Sequence, residues 1–351
     1  MRIGLVTRHL GMPVGLGTYA SHLVHALDRR EDGNEYIIYA PSWNEVPALS
    51  PRFRTRRFRV PRPSRAALTL WDLSLPALAA RRDRVDVLHY LHAAAPAFPT
   101  PFPVVANLLD AISWVVPGYR QPAPYDALER RAARRADLVL TLSESARSDL
   151  ERVLGLPREK IRVSYLGAPA LDPEPSPKEP YFLFVGGTEK RKNLSAVLEA
   201  FASLEGFELR VVGSHTPSPV HDGRTEQSGV SWLGHVSEEQ LAELYRHATA
   251  LVFPSLYEGF GLPVLEAMAR HTPVIAADRS SIPEISRGAA LLVDPGDVEG
   301  LRDAMRRLGQ DRSLCEEMAR GGAKVASAFS WDDTARATVA AYESARELRR
   351  R

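Results

Sequence analysis

Glu258 and Glu266 bracket a glycine-rich stretch, Gly259 and Gly261 in PSLYEGFGLPVLEA, and the combination sets a conflict of charge. A glycine-rich turn into a helix start exposes backbone N–H groups and the positive end of the helix dipole, and both attract anions. Pro263 suits the first helical position, so the N–H groups around Phe260, Gly261 and Leu262 can point outward while Glu266 lies about one turn inside. Phosphate against carboxylate is strongly repulsive in a low-dielectric site. Any ligand of this stretch must therefore offer hydroxyls to the carboxylates and phosphate to the amides. For one glutamate alone, a favourable charge near a helix N-terminus would be the simpler account.

A second constellation lies in VGGTEKRKNL, residues 185 to 194, where Arg191 and Lys192 follow one apolar run and precede another. Adjacent cations at the carboxyl end of a strand suit a diphosphate, arginine binding it bidentately and lysine as a point charge. A solvated basic turn would leave the same trace, but the glycine-rich helix start in the same half raises the diphosphate reading. Together these groups match a nucleotide sugar, which carries a ribose diol, a diphosphate and a hydroxyl-rich hexose. Gly15 to Ala20, GLGTYA, matches G-x-G-x-x-A, yet Gly15 lies eight positions after Thr7 and the strand EYIIYA ends in Ala40-Pro41 without a ribose-binding carboxylate. It stands either as a loop and cap or as a phosphate-facing loop.

These groups need a scaffold, and the pattern of the chain supplies one. RIGLVT, EYIIYA, DVLHYL, PVVANLL and DLVLTLS read as strands, and TYASHLVHALDRR, YDALERRAARRA and SARSDLERVLG as helices. GAPALDPEPSPKEP, residues 167 to 180, has prolines at 169, 173, 175, 177 and 180 and reads as an interdomain linker. Afterwards the alternation restarts: YFLFVG, FELRVVG, GVSWLGHV, ATALVFPS and PVIAAD as strands, with Asn193 as N-cap of one helix and a Ser237/Gln240 capping box opening another. PVLEAMARH and the run from Trp331 to Arg351 read as helices. Strands alternating with helices imply two parallel sheets, whose carboxyl ends would bind ligand in a shared cleft.

With 351 residues, 44% hydrophobic and 25% charged, the chain is long enough for two cored domains. Arg8 and His9 follow the first apolar run, so no secretory core forms there, and the protein is expected to be cytoplasmic. The least charged stretch, 103 to 117, is broken by Asp110 and is too short to span a bilayer. A single cysteine, Cys315, excludes an intramolecular disulfide and a cysteine cage, and reads as a packing residue. The net charge of +2 conceals an asymmetry: residues 1 to 170 hold 24 Lys/Arg against 16 Asp/Glu, and the remainder 21 against 27. Seven of those arginines fall between Arg52 and Arg65, a stretch that reads as a solvated edge strand or as contact with anionic lipid or a phosphorylated acceptor.

Glu258, seven intervening residues and Glu266, within PSLYEGFGLPVLEAMARHTPVIAADRSSIPEI, resemble the signature of family 4 of the retaining glycosyltransferases. VGGTEKRKNL, WLGHVSEEQLAELYRHATALVFPS and GAALLVDPGD are similar to the same family, so the likeness runs from about 181 to 332. GLGTYA, DVLH, LLD and TLSESARSDL extend it loosely into the N-terminal half, and the tilt within the family is toward mannosyltransferase-like members. The resemblance implies an α/β chain of GT-B fold, two doubly wound Rossmann-like domains facing a central cleft. Residues 1–172 would bind the acceptor, 173–330 the nucleotide sugar, and 331–351 would form a helix crossing back to the N-terminal domain.

Carried over by position, the resemblance implies that Glu258 contacts the transferred sugar and Glu266 the nucleotide ribose. Phe260, Gly261 and Leu262 would meet sugar or phosphate through their backbone, Arg191 and Lys192 would neutralise the diphosphate, and Gly186 would border it. His235 and Val236 would lie near the base, and Gly17 near the phosphate from the opposite wall. Many relatives carry His-Asp where this chain has Leu109-Asp110, and leucine can neither hydrogen-bond nor move a proton. Asp110, Asn107 or His92 could supply the polar contact, Asp110 being the expected catalytic member. The expected activity is retaining, metal-independent transfer of a mannose- or glucose-type hexose from a UDP- or GDP-linked sugar to a hydroxyl acceptor in glycan, glycolipid or small glycoside synthesis. No Asp-x-Asp motif, cofactor or nucleic-acid partner is expected. Two other readings stay open: a catalytically silent nucleotide-sugar-binding protein, and an epimerase or phosphorylase on the same fold.

Overall fold

A computed structural model describes residues 1–12, 15–61, 64–213 and 227–350. Two compact units emerge: residues 1–167 with 331–351, and residues 168–330.

The first unit is built on strands β1 (Arg2–Val6), β2 (Glu35–Pro41), β3 (Phe53–Phe58), β4 (Val87–Tyr90), β5 (Val104–Asn107), β6 (Leu138–Thr141) and β7 (Ile161–Val163). All pair in parallel, in the order β3-β2-β1-β4-β5-β6-β7. The inner strands β4, β5 and β6 are buried at every residue, as the apolar runs of a parallel sheet covered on both faces must be. Trp71, Tyr90, Leu88 and Val6 fill one core cluster, and Val139, Leu150, Ile161 and Ala106 another. The helix Trp331–Arg350 packs within this unit. Its Tyr342 hydroxyl lies 2.8 Å from His89 Nδ1, and Trp331 stacks on His22 at 4.7 Å between ring centroids. Burial holds the His89 imidazole down at about 4, so it is neutral at physiological pH.

Besides a 3-10 turn at Arg158–Lys160, four elements of this unit escaped the sequence pattern: β7, two consecutive helices, α2 (Arg65–Leu73) and α3 (Leu75–Arg82), and the four-residue helix Ile112–Val115. The arginine run forms the edge strand β3, whose four central residues are exposed, as the edge-strand reading expects and as contact with an anionic partner would also require. The first helix, α1 (Gly15–Arg29), begins three residues before Thr18, so GLGTYA is its first turns rather than a loop.

The second unit carries β8 (Glu179–Val185), β9 (Glu208–Val212), β10 (Val230–Gly234), β11 (Ala248–Phe253), β12 (Val274–Ala277) and β13 (Leu291–Val293). These are again parallel, in the order β10-β9-β8-β11-β12-β13. Phe182, Phe184, Val211, Val252 and Ile275 join helix residues such as Val197 and Met305 in its core. Pro180, assigned to the linker by sequence, is the second residue of β8, tolerated because it sits at the strand's start. Cys315 is half-buried in the helix Arg312–Ala326 and packs against the core. Among the described residues no helix is long and apolar enough to cross a membrane.

Candidate functional site

In the second unit the chain runs outward from β8 through β9 to β10, then returns to place β11 on the other side of β8. The loops leaving β8 and β11 thus part in opposite directions at the carboxyl end of the sheet, the position where open α/β sheets bind ligands. Arg191 and Lys192 sit in the first loop, on a single 3-10 turn (Lys190–Lys192), and Glu258 sits in the second. The three side chains converge. Lys192 Nζ donates to Glu258 Oε1 at 2.8 Å and Arg191 Nη1 donates to the same oxygen at 3.0 Å. Glu258 Oε2 has no partner among the described residues, so one carboxylate oxygen aligns the cations and the other stays open to a hydroxyl.

The loops are braced to hold that arrangement. Leu256 N–H donates to Arg191 O at 2.7 Å. Asn193 does not cap its helix through its side chain. It takes a left-handed φ of 57° and its Nδ2 donates to Pro254 O (3.2 Å) and Pro295 O (2.7 Å), tying together the loops after β8, β11 and β13. Lys192 is 9% exposed, its ammonium 4.8 Å from the centre of the Phe253 ring, which removes the solvated-turn reading. Its methylenes run past Gly186, where an added Cβ would come within 3.2 to 3.4 Å of them. Ser281 Oγ donates to the carbonyls of Glu258 (3.0 Å) and Phe260 (2.8 Å), and Glu258 N–H donates to Ser280 Oγ at 3.0 Å.

Gly261 is the N-cap of the helix Leu262–Ala269, with φ of 101° and no side-chain cap. That φ favours glycine, and a Cβ there would also lie 2.6 Å from Ile282 Cδ1. Pro263 occupies the second helical position rather than the first, because the helix begins one residue earlier than its sequence suggests. The Phe260 side chain is an anchor, buried edge-on against Phe329, so only its backbone faces the turn. Glu266 Oε2 accepts from the Tyr245 hydroxyl at 2.9 Å. Burial raises the Glu266 carboxyl above the usual range, the Tyr245 bond opposing that shift. Tyr245 was invisible in the sequence because nothing in AELYRHA separates a buried hydroxyl donor from an ordinary core aromatic. His235 is exposed and Val236 half-buried in the turn after β10, ahead of the Ser237/Gln240 capping box that the structure contains.

The glycosyl transferases group 1 family matches residues 172–325, and Glycosyltransferase Family 4 matches residues 13–170. The chain belongs to these glycosyltransferases. It is 30% identical to O-antigen chain mannosyltransferase B of Escherichia coli over 59% of this chain and 61% of that protein. It is 28% identical to the MMP alpha-(1->4)-mannosyltransferase of Mycolicibacterium hassiacum over 98% of both. The structure of Anabaena Alr3699/HepE in complex with UDP and glucose superposes with a TM-score of 0.71 at 16% identity, covering 98% of this chain and 100% of that one. The fold of this glycosyltransferase is accordingly GT-B, with two Rossmann-like domains.

The first unit of the glycosyltransferase has its own switch point between β1 and β4. There Arg8 Nη1 donates to Asp72 Oδ2 at 2.9 Å, His92 Nε2 lies 2.8 Å from Asp72 Oδ1, and the Tyr90 hydroxyl donates to Asp72 O at 3.0 Å. His9 stands edge-on to His92, and burial holds its imidazole down at about 3. A small cavity beside this cluster is lined by Arg8, Arg65, Thr69, Tyr125, Glu129 and Arg131. Burial, with Asp126 and Asp110 nearby, pushes the Glu129 carboxyl up to about 7. Of the three groups considered in place of a histidine at Leu109, His92 is 3% exposed and Asn107 1%; His92 Nδ1 is buried without a partner among the described residues, and the Asn107 side chain lies against the buried Tyr19 hydroxyl. Asp110 Oδ1 accepts from Ile112 N–H at 2.9 Å in the turn ahead of a short helix whose N-cap is Ala111. Gly17 has a packing reason of its own: a Cβ would lie 2.0 Å from Met12 O and 2.6 Å from His9 O.

Proposed function

We propose that the chain is a cytoplasmic, retaining and metal-independent hexosyltransferase that moves a mannose- or glucose-type hexose from a UDP- or GDP-linked sugar to a hydroxyl acceptor. The observation that carries this reading is the convergence of Lys192 and Arg191 on one oxygen of Glu258 beside an uncapped helix start. In the proposed reaction the bond from the anomeric carbon to the phosphate oxygen breaks while the acceptor oxygen bonds to the same face of the sugar. The acceptor's proton passes to the departing phosphate oxygen, so no side-chain base is needed opposite Leu109. Lys192, Arg191 and the amides at Gly261 and Leu262 stabilise the charge that builds on the diphosphate, the role a divalent ion would otherwise fill. Glu258 Oε2 receives a hydroxyl of the hexose, Glu266 the ribose diol, and His235 and Val236 border the base. Residues 173–330 take the donor, and residues 1–172 the acceptor, through the polar cavity between Arg8 and Glu129, with Asp110 close enough to act on the Glu129 carboxyl. The two mannosyltransferase relatives favour mannose.

A thermal-shift panel with UDP-, GDP-, ADP- and dTDP-sugars in EDTA tests the donor. A ligand at 100 times its dissociation constant adds about 2.7 kcal/mol of stability. Proton NMR of the product then reads its anomeric configuration. Donor affinity with neither transfer nor slow donor hydrolysis would favour a silent nucleotide-sugar-binding protein, and an inverted product would remove the retaining assignment.

A further inference from the structure

We infer that α2, α3 and the edge strand β3 form a docking surface for an anionic phospholipid bilayer. Leu70, Leu75 and Leu78 are 67%, 44% and 46% exposed, and they are three of only six large exposed hydrophobics among the described residues. All three lie within nine residues, on two helices that meet at Ser74. Packing elsewhere does not force them outward: α2 buries Trp71 and α3 buries Pro76, Ala77, Ala79 and Ala80 on the opposite side. Leu75, Leu78 and Arg82 recur at helical spacing along one exposed face of α3, an apolar row ending in a cation.

The charge on the same surface is lopsided. The described residues between 52 and 84 hold nine arginines against two aspartates, and of the nine Arg52 pairs with Asp32 and Arg65 lies over the Tyr125 ring. Both aspartates are already engaged, Asp72 by Arg8 and His92, Asp83 by Arg56 at 2.7 Å. Arg54, Arg59, Arg81, Arg82 and Arg84 are exposed and have no acidic partner among the described residues. The strand and the helices form one surface, since Phe58 of β3 packs edge-on against Trp71 of α2 at 5.9 Å and Arg56 of β3 reaches Asp83 at the end of α3. Unpaired arginines beside exposed leucines complement a bilayer, where cations meet anionic headgroups and leucines enter the acyl boundary. A nucleic acid would engage the arginines and leave the leucines without purpose.

The test is sedimentation of the full chain with phosphatidylcholine vesicles, with or without about a third phosphatidylglycerol. Binding is expected to the anionic vesicles alone, and to fall steeply between about 0.05 and about 0.5 M salt. Arg54→Gln, Arg59→Gln and Arg82→Gln together should weaken it on the order of a hundredfold. Leu70→Gln and Leu78→Gln should each weaken it roughly tenfold. Unchanged thermal midpoints show that the variants fold, and the salt dependence of the parent protein needs no variant. Sedimentation equal with both vesicle types, or none, overturns the inference. So does a leucine-insensitive interaction that a DNA oligonucleotide reproduces, which would mark a general polyanion patch. Vesicle binding requires no donor, so its failure leaves the proposed reaction standing.

Discussion

Replacing Glu258 by glutamine separates the roles assigned to its two oxygens. Glutamine keeps the size and a hydrogen-bonding carbonyl but removes the charge that holds Lys192 at 2.8 Å and Arg191 at 3.0 Å. A phosphate oxygen bound to the far side of either cation would lie about 5 to 6 Å from that carboxylate, given usual charge-assisted contact lengths. At an effective dielectric of about 20, unit charges at that separation repel by about 3 kcal/mol, an upper limit here. Looser cations offset part of the gain, so UDP or GDP should bind about tenfold tighter to Glu258→Gln, or about 1.4 kcal/mol. Turnover should move the other way, falling on the order of a hundredfold or more, because the hexose contact and the cation alignment are both spent in the transition state. Calorimetry gives the dissociation constant of the diphosphate, and steady-state kinetics with the donor chosen by thermal shift give turnover. Weaker diphosphate binding at an unchanged thermal midpoint, or full turnover, would refute the reasoning.

Lys192→Ala should lower turnover on the order of a hundredfold, as loss of one transition-state donor does, and near-normal kinetics would remove the leaving-group role. Glu129 holds its proton to about 7 in the folded chain, against an ordinary value near 4.5 unfolded, so the folded state binds the extra proton. Its contribution to stability is therefore complete below about 4.5 and is lost as pH rises toward 7. The thermal midpoint of Glu129→Gln, measured against the parent, should gain steadily across that interval, and a constant difference would show that Glu129 titrates normally. Gly17→Ala forces a Cβ onto two carbonyl oxygens and should cost about 1 to 3 kcal/mol, read as a lowered denaturant midpoint.

The sheets were legible because inner parallel strands, buried on both faces, read as short continuous apolar runs; ten of thirteen strands were read from the sequence, the edge strand β10 among them although none of its residues is buried. β3 read instead as an arginine-rich stretch with an edge strand as one of two accounts, its exposed centre giving no apolar run. β7 and β13 are three residues each, below the length at which a pattern shows. α2 and α3 were missed for another reason: they are nine and eight residues long and follow one another at Ser74 with no loop, so no turn signal marks either off. Asn193 illustrates the limit at the site. Its type and position both say helix cap, yet its amide is drawn away to two carbonyls contributed by loops 61 and 102 residues distant.

The charge conflict around Glu258 and Glu266 resolves differently for each acid. Glu258 is ion-paired with Arg191 and Lys192, so in the proposed reaction its charge would weaken phosphate binding while fixing the geometry that binding requires. Glu266 avoids the conflict by burial, which raises its proton affinity, and by taking the Tyr245 hydroxyl. A ribose diol binds best to an ionised acceptor, so donor affinity should climb as pH rises through the raised value for Glu266. Tyr245→Phe deletes the bond that favours the ionised form and should shift that climb to higher pH. Donor binding that does not change with pH in either protein would mean that Glu266 meets no part of the nucleotide, and a climb at the same pH in both would mean that the Tyr245 bond does not set its ionisation.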